Sequence, residues 1–200
     1  MPLTPLRIAV LAASLSACLV GSAESQPMTS AQALEAIQSF EGNLPTGISV
    51  GAKSAKESTD KMAAAANAIV QYAIQSDTVV VDMGPDAVTW CDVKKGVTGM
   101  AHSGERGLLF AAYLAGEIKA QIRTGKNDPN PYAGWVEALH VYKALRMRDG
   151  LKIAEIETLA AKQKDGSLEA YAAEAAQRSV ARLEANYHGE RPVSIALSGR

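Results

Sequence analysis

The second half of this chain carries helix start and stop signals at short intervals, and they constrain the fold more than any other feature. Gly125 ends one run of apolar periodicity, Asn130-Pro131 opens the next, and Gly150 closes it. An Asn before a Pro starts a helix well: the Asn oxygen takes an orphan N–H, and Pro has none to leave unsatisfied. A glycine just past the end supplies the left-handed residue that closes the last turn. The spacing predicts one helix over 105–123 and another from Pro131 to Arg148 or Asp149. A third spans 151–162. After Asp165-Gly166-Ser167, with Ser167 as cap, a last helix runs to about Tyr187. Connections this short fold neighbouring helices into antiparallel hairpins.

The inward faces follow from helical spacing. Leu108, Leu109, Ala112, Tyr113, Gly116 and Ala120 form one, with Ala112 and Gly116 small enough for a close neighbour. Trp135, Leu139, Tyr142 and Arg146 form the next, widened by Val136 and Leu145. Leu168, Tyr171, Ala175 and Leu183 face inward on the last helix. Trp135, Ala138 and Tyr142 resemble one helix of a tetratricopeptide repeat. No second copy stands at the period of about 34 residues, so the three are read as packing.

The first half is less regular. Thr29 or Ser30 caps a helix to about Phe40, with Leu34, Ile37 and Phe40 as its stripe. Residues 41–47 break the pattern. A long helix follows from Ala55 to Gln75, with Met62, Ala65, Ala66, Ile69, Tyr72 and Ala73 inward. Thr78-Val79-Val80-Val81-Asp82-Met83 is short and β-branched and is expected as a strand. Gly84-Pro85-Asp86 turns the chain. Residues 87–93 then return as a second strand or form a turn or two of helix from Pro85; pattern alone leaves both open. The apolar tail 192–197 is a further strand candidate, pairing with 79–81. The expected fold class is mainly α, as antiparallel helical hairpins or a bundle, with a small β-hairpin around residues 78–93.

The chain opens on Arg7, the apolar run from Ile8 to Val20 and the small residues Gly21-Ser22-Ala23. That is the layout of a secretory signal. The run is shorter than the roughly 20 residues that span a membrane as a helix. Leu15-Ser16-Ala17-Cys18 resembles the lipobox of bacterial lipoproteins. The resemblance implies cleavage after residue 17 and a diacylglyceryl group on the sulfur of Cys18, hence a membrane partner through a lipid anchor. Each buried CH₂ contributes about 0.8 kcal/mol to such anchoring, and several chains make it stable. The alternative is ordinary cleavage after Ala23, leaving Glu24 first. Residues 1–23 are read as leader (1–17 in a lipoprotein) and 24–200 as one domain with a short tether. The expected location is exported: periplasmic, outer-membrane-anchored or secreted.

Export and charge narrow the function. The formal net charge is −1, and no basic face accumulates, so nucleic acid is not an expected partner. There are two cysteines. With Cys18 lipidated or removed, Cys91 has no partner in the mature chain and reads as a small buried apolar residue. Aromatic residues make up 5% of the chain, which suits close-packed helices better than an aromatic-lined sugar cleft.

Motifs of chemistry are few. Gly99 to Arg106 has the glycine spacing of a phosphate loop without the Lys and hydroxyl that reach phosphate and magnesium. His102, Ser103 and Glu105 are the catalytic candidates, as base, nucleophile and orienting acid. Neighbouring side chains point apart, however, and no nucleophile elbow surrounds Ser103. Trp90, His102, Glu105 and Arg106 are the ligand-binding candidates, on a loop facing the helices. Trp90, Trp135 and Tyr142 line either a pocket or the core. His140 is expected partly buried and hydrogen-bonded. No ligand spacing supports a metal, Asp82, Asp86 and Asp92 do not follow a calcium loop, and no cofactor is expected. The leading expectation is a non-catalytic envelope module that binds a protein or a small ligand. The alternatives are a small hydrolase built on His102/Ser103 and a protein that assembles through its helices.

Overall fold

The computed structural model describes residues 27–45, 52–91 and 100–189, with backbone alone for 52–55 and 183–189. Six helices account for most of them: α1 (Ser30–Gly42), α2 (Ala52–Gln75), α3 (Ser103–Thr124), α4 (Pro131–Asp149), α5 (Ala154–Asp165) and α6 (Leu168–Gly189). The local signals act as their chemistry requires. Thr29 closes a capping box with Gln32 at the start of α1. The Asn130 side chain accepts from the Ala133 N–H at 3.0 Å. Gly125, Gly150 and Gly166 end α3, α4 and α5 in left-handed conformation, at φ of 65°, 65° and 80°.

α3 and α4 form the central hairpin. α1 and α2 pack as a pair and lean on α3 through α2, whereas α5 and α6 cover α4. The helices pack as a bundle of sequential neighbours. The hairpin closes unusually far because glycines stand at its contact. A Cβ on Gly116 would lie 2.3 Å from the Ala133 carbonyl oxygen, and one on Gly134 would lie 2.4 Å from the Tyr113 ring. Trp90, Trp135, Tyr72, Tyr113, Tyr142 and Phe40 are among the largest fully buried side chains. Trp90, Trp135 and Tyr142 are therefore core and line no pocket.

The expected β-hairpin at 78–93 is not formed: no strand occurs among the described residues. The reason is local. The ladder groups of Val80 are taken by a side chain, since the Val80 N–H donates to Gln121 Oε1 at 2.9 Å and Gln121 Nε2 donates to the Val80 carbonyl at 2.7 Å. Residues 84–91 then coil into turns in which Ala87 and Val88 both donate to the Gly84 carbonyl. Residues 92–93 and the tail 192–197 lie outside the described residues, as does the leader with Cys18.

Smaller expectations are corrected too. Leu34 is exposed, and Ala33 is buried in its place on α1. Arg146 points outward and pairs with Glu157 at 2.7 Å. His140 is exposed. The predicted helix from Leu151 starts three residues later, because Tyr142 holds its approach. The tyrosine hydroxyl accepts from the Ile153 N–H, donates to Glu157 Oε1 and lies 3.2 Å from the Leu151 carbonyl oxygen. No helix among the described residues is long and apolar enough to cross a membrane.

Candidate functional site

The predicted site surrounds the start of α3. The chain enters at His102, whose backbone is left-handed at φ 58° and whose side chain caps nothing. His102 and Ser103 are exposed and Glu105 is half-buried. No hydrogen bond joins the three, so nucleophile, base and acid are not assembled there. Glu105 stands in the first turn of α3, where a negative charge favours the helix dipole, and it faces the charge of Arg148 at the far end of α4.

His102 is the described non-glycine residue with positive φ. A side chain in that region costs roughly 1–2 kcal/mol, against the roughly 0.5–1 kcal/mol of extra chain entropy that glycine loses. His102→Gly is therefore expected to raise stability by about 0.5 kcal/mol, read as a shift in the urea midpoint at unchanged slope. A drop in stability would mean that the imidazole makes a stabilising contact at this turn.

Arg106 behaves differently. It is 9% exposed, and its guanidinium is occupied on three sides. Nε donates to the Ala101 carbonyl at 3.0 Å and Nη1 to the Trp90 carbonyl at 2.5 Å. Nη1 and Nη2 reach the two oxygens of Glu155 at 3.5 and 3.4 Å. Arg106 thus ties the 90–91 turn, the entry to α3 and the start of α5 together. It meets Trp90 through the backbone carbonyl. The indole itself lies edge-on to Tyr113, 6.0 Å between ring centres, with its Nε1 buried and unpartnered. Cys91, beside this seam, has its thiol pushed up to about 12 by burial. Arg106 opposes the shift and Glu155 adds to it. Such a thiol stays protonated and weakly nucleophilic.

A second polar group lies deeper in α3 and was not anticipated from the sequence. Tyr113, Glu117 and Gln121 stand one turn apart on one face, all buried. Tyr113 and Gln121 hold residues 80–82, whereas Glu117 Oε2 accepts the Asn130 N–H at 2.6 Å. Desolvation pushes the Glu117 carboxyl up to about 7, against the opposing pull of the Asn130, Tyr113 and Gln121 hydrogen bonds; the Asp82 charge pushes it further up. The available sequence signal was a Glu next to Gly116 and one turn from both Tyr113 and Gln121.

Elsewhere, a cleft of about 220 Å³ opens between the start of α1 and the end of α2. Its hydroxyls satisfy one another, with Ser30, Tyr72, Thr78 and Ser76 bonded in series. Among the described residues no three His, Cys, Asp or Glu side chains gather as a metal site. No protein-family model matches the chain, and neither curated proteins nor solved structures give a significant match.

Proposed function

We propose that this chain is an exported cell-envelope protein, carried to a membrane by lipid on Cys18, whose helical domain is a non-catalytic module for binding a protein or a small ligand. The observation that carries the reading is the leader, in which an apolar run from Ile8 to Val20, too short to span a bilayer, contains Leu15-Ser16-Ala17-Cys18. Arg106 narrows the surface on which such binding would take place. The one strongly basic group among the ligand-binding candidates has its donors occupied by Trp90, Ala101 and Glu155. Binding through the α3 entrance would then rest on His102, Ser103 and Glu105.

The expected result for intact mass, measured on protein from the membrane fraction of its native host, is an acylated chain beginning at Cys18. An unmodified chain beginning near Glu24 overturns the lipid anchor and leaves a freely diffusing exported protein. The second reading is a hydrolase using His102 and Ser103. It is favoured by the left-handed backbone of His102, since strained residues gather at functional sites. It requires that His102→Ala and Ser103→Ala abolish a turnover while leaving the fold intact.

A further inference from the structure

The row on α3 holds a proton-counting problem. The Tyr113 phenol oxygen lies 2.8 Å from the Asp82 carbonyl oxygen and 2.8 Å from Glu117 Oε1. Both neighbours are acceptors when Glu117 is ionised, and a phenol has one proton to give. Burial holds the Tyr113 hydroxyl protonated, well above its ordinary range, so that single proton cannot serve both contacts. A proton on Glu117 Oε1 resolves the conflict: the carboxyl O–H donates to Tyr113, and Tyr113 donates to Asp82. Oε2 is already the acceptor for Asn130 and Gln121, which leaves Oε1 as the protonated atom.

We propose that Glu117 is a proton-dependent clasp: when protonated it lets Tyr113 hold Asp82, and when it ionises Tyr113 turns to the carboxylate and the 78–91 connection loosens from α3. The proton leaves to water and no other group need change. The charged surroundings fit one titrating site. Among the described residues, Asp82 is the charged group that acts on Glu117, and it favours the protonated form. α1 and α4 bring Glu41 and Glu137 to α3, where Lys119 holds both. Lys119 is two residues from Glu117 and so lies on another face of the helix. α6 meets the connection with Arg178 and Arg182, both on Asp86. α2 brings Tyr72, bonded to Ser30 and Thr78.

The clasp matters because of what the connection covers. Its Ala87 carbonyl accepts the Trp135 indole N–H at 2.6 Å, and its Trp90 is a wholly buried core residue. Loosening it uncovers the middle of the central hairpin. The device rests on the fold alone and does not depend on export.

The test is amide exchange at Val80 in the full-length protein, corrected for intrinsic rates. A carboxyl raised from its ordinary 4.5 to about 7 favours the closed form at low pH. Opening is expected to increase by up to about tenfold per pH unit from 4.5 to about 7 and to level off above. In Glu117→Gln the amide takes the place of the protonated acid, and opening should be flat across that window. A flat wild-type profile, or the same slope in the variant, overturns the clasp. Should the variant fail to fold, the carbon-13 shift of the wild-type Glu117 carboxyl decides: a midpoint near 7 that tracks Val80 opening supports it, and an ordinary carboxylate midpoint overturns it.

Discussion

Gly116→Ala is expected to cost about 3 kcal/mol of stability, the upper part of the range for overpacking a well-filled core. Alanine is the better helix former by roughly 1 kcal/mol, so a substitution judged by propensity alone would stabilise α3. Geometry reverses the sign. The added Cβ would fall 2.3 Å from the Ala133 oxygen, 2.8 Å from its carbonyl carbon and 2.9 Å from the Gly134 Cα. All three are backbone atoms of α4, so no side chain can rotate away and the helix itself must move. Moving it strains what the close approach allows. The Tyr113 ring lies against Gly134, its hydroxyl reaches Asp82 and Glu117, and Trp135 donates to Ala87. Gly107 is the internal control: on the same helix, a Cβ there meets nothing within 4 Å. Gly107→Ala is expected to stabilise by about 0.5–1 kcal/mol. Urea unfolding of both variants is the measurement, and a Gly116→Ala variant as stable as the parent would show that the two helices separate at little cost.

Why some of this was legible and some not is clearest at individual residues. Thr29, Asn130-Pro131, Gly125 and Gly150 act within a few residues of themselves, and each begins or ends a helix as its chemistry demands. The stripe from Met62 to Ala73 on α2 is buried as its period requires. The failure at Thr78–Met83 has another origin. A β-branched run gives the conformation its residues prefer, but a strand needs a partner for its backbone groups. Here the Gln121 side chain, far along the chain, supplies that partner. In sequence Arg106 is a ligand-binding candidate, and its burial is not anticipated. A charged residue near glycines reads as solvent-facing; it is buried because acceptors converge from Trp90, Ala101 and Glu155. Glu117 was hidden for the same reason, since a buried carboxyl is intelligible only once its neighbours are in view: the Asn130 N–H at the entry to α4, the Gln121 amide and the Tyr113 hydroxyl.

That difference in role makes Arg106→Met the sharper experiment at the predicted site. Methionine keeps much of the apolar stem and removes every donor. The Trp90 and Ala101 carbonyls then lose their partner at a buried seam, and Glu155 loses its ion pair. Breaking a fully buried pair costs about 3–5 kcal/mol. The Glu155 side chain is 35% exposed, so water recovers part of that loss, and the expected cost is about 2–3 kcal/mol. Arg106→Lys should recover only a fraction, because a single ammonium cannot reach two carbonyls and a carboxylate from one planar fork. The readout separates two meanings of the residue. An arginine kept for a ligand would leave the free protein's unfolding curve unmoved and weaken binding alone. An arginine that joins the 90–91 turn to α3 and α5 lowers stability with no ligand present. A stability loss would also restrict any ligand-binding assignment at this entrance to His102, Ser103 and Glu105, because altered binding in an Arg106 variant would then reflect a disturbed seam.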